Sequence, residues 1–106
     1  HYAPKAQVTI LRGSLDAYTA YVRAHAEPGV WALCFDGEGE TLPVPYIEYG
    51  KNHDGATQAH HLFSALRELD KQGARIVYAR CPEQDGVSMA VYNRLIRAAA
   101  FRVEDV

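Results

Sequence analysis

Six apolar residues in succession, Val30-Trp31-Ala32-Leu33-Cys34-Phe35, constrain this chain more than any other feature. The run has the length of a strand and falls far short of a membrane span. It does not alternate, so both faces of that strand must be covered. A strand covered twice belongs inside a parallel sheet with helices on either side.

The flanking sequence supplies those layers. Gln7-Val8-Thr9-Ile10-Leu11 reads as a first strand. Gly13 breaks it, and Ser14 can cap a helix. Leu15, Tyr18 and Val22 then recur at helical spacing, with Tyr21 alongside, up to about Ala26. Pro28-Gly29 closes that unit. Residues 36–45 read as a loop rich in Gly, Glu and Pro, and a short third strand is expected around Pro45-Tyr46-Ile47-Glu48. Asp54 can cap the next helix, whose apolar stripe is Ala59, Leu62, Phe63, Leu66 and Leu69, with Gly73 at its end. Ile76-Val77-Tyr78-Ala79 is a fourth strand. Val91, Leu95 and Ala99 place a third helix on the core, with Tyr92 and Ile96 flanking. Phe101-Arg102-Val103 is expected as the last strand.

The order β-α-β-β-α-β-α-β predicts a three-layer α/β/α sandwich with a mainly parallel five-stranded sheet, Rossmann-like or flavodoxin-like. No helix joins the second strand to the third, which leaves the strand order open between those two arrangements.

At 106 residues the chain is one domain, long enough to bury roughly 65% of its unfolded surface. Its net charge is −2. A nucleic-acid surface carried by bulk charge needs a strongly basic domain, so direct nucleic-acid binding is not expected. Any such contact would depend on a local patch near Arg94, Arg97 and Arg102, joined by Arg75 and Arg80. The apolar runs are too short for a membrane. Cys34 and Cys81 follow no metal or redox spacing; Cys34 reads as a buried small hydrophobe. Two free thiols without a secretory signal fit the cytoplasm.

In sheets of this kind ligands bind beyond the carboxyl ends of the strands. Gly37-Glu38-Gly39 lies at one such end, but it lacks a third glycine and an immediate helix, and its acidic flanks would repel a pyrophosphate. It reads as a plain loop. Asp36, Glu38 and Glu40 could offer oxygen ligands to a hard cation, but they follow no EF-hand pattern and read as a solvated acidic loop. His53, His60 and His61 form no metal set, because adjacent helical residues point about 100° apart. Ser14, Ser64 and Ser88 lack a nucleophile elbow, and no P-loop occurs. No catalytic residue and no metal site is expected.

The first six residues, His1-Tyr2-Ala3-Pro4-Lys5-Ala6, precede the first strand. Pro4 fixes its own φ and holds Ala3 extended, as in a stiff tether arriving from something upstream. The same residues would serve as the end of an independent chain.

This hexapeptide, followed by a strand, resembles the linker of the long, two-domain form of L-threonylcarbamoyladenylate synthase. That family carries a "HYAPKAP"-like motif after its YrdC-type catalytic domain; here Gln7 replaces the final proline. Ala59-x-x-Leu62-Phe63-x-x-Leu66-Arg67-x-Leu69-Asp70, then Gly73, then Gly86-x-x-x-Ala90-x-x-Asn93-Arg94-Leu95-x-x-Ala98-Ala99 resemble its C-terminal domain. The resemblance implies that residues 1–6 end an interdomain linker and residues 7–106 form a C-terminal α/β accessory domain. It implies a parent nucleotidyltransferase that uses ATP, L-threonine and bicarbonate, with Mg as its ion, to make threonylcarbamoyl-AMP for the tRNA threonylcarbamoyladenosine modification. The cleft would belong to an upstream catalytic domain in cis, so the accessory domain itself would have no activity and no cofactor. The linker would gate that cleft, and His1 and Tyr2 are the positions that match its nucleotide-contacting residues. An imidazole can donate to a phosphate oxygen, and a phenol can stack or donate. A stand-alone flavodoxin-like module that binds a nucleotide or phosphate at the strand carboxyl ends is the alternative. An independent small enzyme fits least, because its candidate groups are scattered.

Overall fold

The computed structural model describes residues 3–106. Five strands and three helices alternate: β1 (Gln7–Arg12), α1 (Leu15–Ala24), β2 (Val30–Cys34), β3 (Tyr46–Glu48), α2 (Gly55–Lys71), β4 (Ile76–Arg80), α3 (Gly86–Ala98) and β5 (Val103–Asp105), with a 3₁₀ turn at Gly39–Thr41. All pairings are parallel, and the order across the sheet is β3-β2-β4-β1-β5. The apolar run therefore forms an interior strand, as its composition requires. Among the described residues no helix is long and apolar enough to cross a membrane.

The three-layer architecture matches the expectation, and its strand order is neither of the two left open. In both of those β1 lies beside β2; here β4 is inserted between them. Crossovers between parallel strands are right-handed, so the direction of each step decides which face its helix covers. The step from β1 to β2 runs one way across the sheet and puts α1 on one face. The steps from β3 to β4 and from β4 to β5 run the other way and put α2 and α3 on the opposite face. The core divides accordingly. Tyr18 and Val22 of α1 pack on Leu11, Val30, Ala32, Cys34 and Val44. Leu62, Leu66 and Leu69 of α2 and Val91 and Leu95 of α3 pack on Val8, Ile10, Leu33, Phe35, Val77 and Ala79. Ala32 and Cys34 face one layer, Leu33 and Phe35 the other, which is why the run does not alternate.

The caps follow the sequence. The Ser14 hydroxyl accepts from Ala17 N at 3.1 Å, and the Asp54 carboxylate accepts from Thr57 N at 3.1 Å. Asp54→Ala is expected to lower stability by about 1 kcal/mol, read as a drop in the urea midpoint at unchanged slope. Two boundaries shift. The first helix stops at Ala24, where His25 N donates to the carbonyls of Tyr21 and Val22 and its ring stacks on Tyr21 at 3.9 Å. The last strand begins at Val103, not Phe101: Ala100 and Phe101 adopt left-handed φ values of 50° and 64°, closing α3 as Phe101 N donates to Ile96 O. Within α2 the stripe includes Gln58 and Ala65, while Phe63 lies at its margin, 49% exposed.

Candidate functional site

The carboxyl ends of the strands are where a doubly wound sheet would take a ligand. Here that crevice is filled from within. Arg80, the last residue of β4, turns its guanidinium inward and donates from Nε and Nη2 to the two carboxylate oxygens of Glu38, at 3.1 and 3.2 Å. Its Nη1 donates to Gly13 O at 3.2 Å. Both side chains are only 8% exposed. The guanidinium lies 5.2 Å from the ring centre of Phe35 and 5.8 Å from that of Tyr18, within cation–π range. Glu38 Oε1 also accepts from Phe35 N. The fully buried Tyr49 donates its hydroxyl to Arg80 O at 2.7 Å and packs its ring on Phe35. Burial pushes the phenols of Tyr18 and Tyr49 well above the ordinary tyrosine range, so both stay protonated donors.

This arrangement corrects two readings of the sequence. The loop expected to be a solvated acidic stretch is instead pinned: Glu38 is ion-paired, Asp36 Oδ1 accepts from Gly50 N, and Glu48 Oε2 accepts from Gly37 N. Asp36 and Glu40 of that acidic trio are exposed and only Glu38 is partly buried. Arg80 cannot join a basic face either, since its charge is consumed inside the fold; Arg75 and Arg102 donate to the carbonyls of Pro28 and Val8. Nothing in the local pattern announced the Arg80–Glu38 pair, because its members are 42 positions apart. A loop whose amide points at a carboxylate makes no phosphate cradle.

The remaining candidates stay apart. Burial raises the Cys34 thiol to about 12 and lifts Cys81 too, so both remain neutral thiols. His53 Nδ1 meets Glu83 Oε2 at 2.9 Å on the surface. His60 and His61 are exposed and touch edge-on, with ring centres 4.8 Å apart. Among the described residues no three His, Cys, Asp or Glu side chains converge as metal ligands do.

The amino end of the sheet holds a second constellation. Asp70, in the last turn of α2, turns its carboxylate to the chain entering β1. Lys5 N donates to both carboxylate oxygens at 3.1 Å, and Ala6 N donates to Oδ1 at 3.3 Å. Gln7 N continues the series to Arg75 O at 2.8 Å, and Ala6 is buried. Charge-assisted bonds of this kind fix a backbone more firmly than neutral ones. The entering segment is thus gripped before the first strand begins. His1 and Tyr2, the two positions expected to contact a nucleotide, lie outside the described residues.

The family model described as "Threonylcarbamoyl-AMP synthase, C-terminal domain" matches residues 1–100. The threonylcarbamoyl-AMP synthase of Pyrococcus abyssi is 33% identical over 110 residues, covering 97% of this chain and 31% of that protein. Its Bacillus subtilis namesake is 29% identical, again over 97% of this chain and 31% of its own length. The chain thus spans about a third of the length of these curated relatives. Among solved structures, P. abyssi Sua5 complexed with L-threonine superposes with a TM-score of 0.76 at 26% identity, over 100% of this chain and 32% of that one. A P. abyssi Sua5 variant in which a histidine and the adjacent tyrosine are both alanine gives 0.78 at 26% identity, over 97% of this chain and 30% of that one. The C-terminal Sua5 domain of Pyrococcus horikoshii, solved by itself, gives 0.69 at 26% identity over 98% of this chain and all of that one. On its sequence over residues 1–100 and on its fold, the chain belongs to the family of threonylcarbamoyl-AMP synthase C-terminal domains.

Proposed function

We propose that this domain is the accessory module of a threonylcarbamoyl-AMP synthase, and that it works by holding the linker to an upstream YrdC-type catalytic domain in a fixed position. In this reading residues 1–6 end the linker and residues 7–106 are the anchor. The observation that carries it is the Asp70 clamp on Lys5 and Ala6, set on a domain whose own ligand crevice is closed by Arg80 and Glu38. The parent enzyme would join L-threonine, bicarbonate and ATP, with Mg as its ion, in the cytoplasm, and its product would serve tRNA threonylcarbamoyladenosine formation. Threonylcarbamoyl-AMP is a mixed anhydride exposed to hydrolysis. A gating linker that excludes water protects such an intermediate. His1 and Tyr2 would supply its polar and stacking contacts to the nucleotide. A solved P. abyssi Sua5 carries alanine at an adjacent His and Tyr, which supports testing the dipeptide here.

The test is Asp70→Ala in the intact two-domain protein, read as threonylcarbamoyl-AMP formed with ATP, L-threonine and bicarbonate. Losing the clamp is expected to lower turnover by about tenfold, or roughly 1.4 kcal/mol of positioning. His1→Ala is expected to weaken ATP binding in the same protein. Wild-type turnover and ATP affinity in both variants would reject the reading.

A further inference from the structure

Three aspartates in this chain are followed directly by glycine: Asp36-Gly37, Asp54-Gly55 and Asp85-Gly86. Such a pair carries a chemistry of its own. No side chain shields a glycine amide, so its nitrogen can close on the carboxyl carbon of the aspartate before it. By local sequence the three pairs are equivalent, and the fold makes them different.

At Asp36 both reacting groups are tied. Its Oδ1 accepts from Gly50 N at 3.2 Å, and the Gly37 N–H that would attack donates to Glu48 Oε2 at 3.0 Å. At Asp54 the carboxylate caps α2 by accepting from Thr57 N at 3.1 Å. Gly55 is also shut in, since a Cβ there would lie 2.6 Å from Ser88 Oγ and 2.8 Å from Ser88 N. Among the described residues neither restraint holds at Asp85. Its exposed side chain makes no capping bond to α3. Gly86 is exposed too, at a φ of +54°, with nothing among the described residues within 4 Å of a Cβ position. Its N–H is one of the donors that a helix start leaves without an intrahelical partner. Turning the Asp85 Cα–C bond gives up one backbone bond, Met89 N to Asp85 O at 3.1 Å, at a helix end, where opening costs least.

We propose that Asp85-Gly86 is a site of spontaneous covalent modification, the isomerisation of Asp85 to isoaspartate through a cyclic imide. The Gly86 nitrogen bonds to Cγ of the protonated Asp85 carboxyl, whose hydroxyl leaves with the amide proton as water. Solvent water then adds to one of the two imide carbonyls, and the C–N bond at that carbonyl breaks. Breaking the new bond restores aspartate. Breaking the original peptide bond leaves the chain running through the side-chain carboxyl, one methylene longer, with a free α-carboxylate. No oxidant or reductant enters, and the mass is unchanged. The extra methylene falls at the N-cap of α3, three residues before Ser88, which packs against Gly55 of α2. The modification therefore loosens the start of α3 and its seat on α2.

The experiment is heavy-oxygen labelling of the folded 106-residue chain; the P. horikoshii domain, solved alone, shows that this fold stands by itself. The chain is held in warm neutral buffer made with heavy-oxygen water, and each imide opening leaves one heavy oxygen on the residue. Trypsin in ordinary water then puts the three aspartates in separate peptides, 24–51, 52–67 and 81–94, and fragment masses place the label on the aspartate. Peptide 81–94 is expected to label faster than the other two by about fivefold or more, the factor that one capping bond of about 1 kcal/mol imposes. It is also expected to grow resistant to endoproteinase Asp-N, which does not cut at isoaspartate. In guanidinium, where the fold is gone, the three are expected to label at similar rates. Equal labelling in the folded chain would overturn the proposal, as would a lead for 81–94 that persists unchanged in guanidinium.

Discussion

Arg80→Ala is expected to lower the unfolding free energy by about 3–5 kcal/mol, the range for stripping one partner from a buried ion pair. The size follows from what remains. Glu38 would keep a carboxylate that is 8% exposed, with only Phe35 N among the described residues still donating to it. Two aromatic faces would lose the cation they pack against, and Gly13 O would lose a donor. The pair itself is a different quantity. Removing two charges from water is costly, so an apolar pair of similar volume can do as well. Arg80→Met combined with Glu38→Leu is therefore expected to recover most of the loss. Urea unfolding of the single and double variants checks both statements. A single-variant loss under about 1 kcal/mol would place the pair with ordinary surface bridges.

Gly50→Ala is expected to cost about 3 kcal/mol or more. Gly50 carries a φ of +113°, and a Cβ there would lie 2.7 Å from Gln58 N, 2.8 Å from Thr57 C and 2.9 Å from Gln58 Cα. All three are backbone atoms of the first turns of α2, so no side chain can swing aside. The left-handed strain alone is about 1–3 kcal/mol, and moving the helix adds to it. Gly50 also exchanges bonds with Asp36 through both its N–H and its carbonyl, so displacement spreads into the pinned loop. Gly37 provides the control. Its φ is +85° with nothing within 4 Å of a Cβ, so Gly37→Ala carries strain without collision and is expected to cost only about 1 kcal/mol. Equal losses at the two positions would remove the collision from the account.

Much of the fold was legible because its signals are local. Continuous apolar residues at 30–35, a helical stripe at Leu62, Leu66 and Leu69, and caps at Ser14 and Asp54 each report on a few neighbouring positions. The strand order was not legible, since a short link from β2 to β3 does not say where β4 will insert. The last strand was placed two residues early because Phe101 is apolar; a left-handed turn leaves that ring 72% exposed. The two site constellations were hidden by distance. Arg80 and Glu38 are 42 positions apart and Lys5 and Asp70 are 65 apart, and no periodicity couples such pairs. Asp70 did appear within the family-like "LRxLD" pattern, but its partner there is a backbone amide, which has no letter in a sequence.

The insertion of β4 between β1 and β2 has a consequence for how the chain acquires its shape during synthesis. Until residues 76–80 leave the ribosome, the first two strands lack the neighbour that both pair with. Contacts so remote in sequence slow folding, because the intervening loops must close first. The late strand then seals both sides at once. Gln7 pairs with Ile76 in the same event, one residue from the place where Ala6 meets Asp70. The bonds from Lys5 and Ala6 to Asp70 are therefore set beside the same late closure that joins β1 to β4.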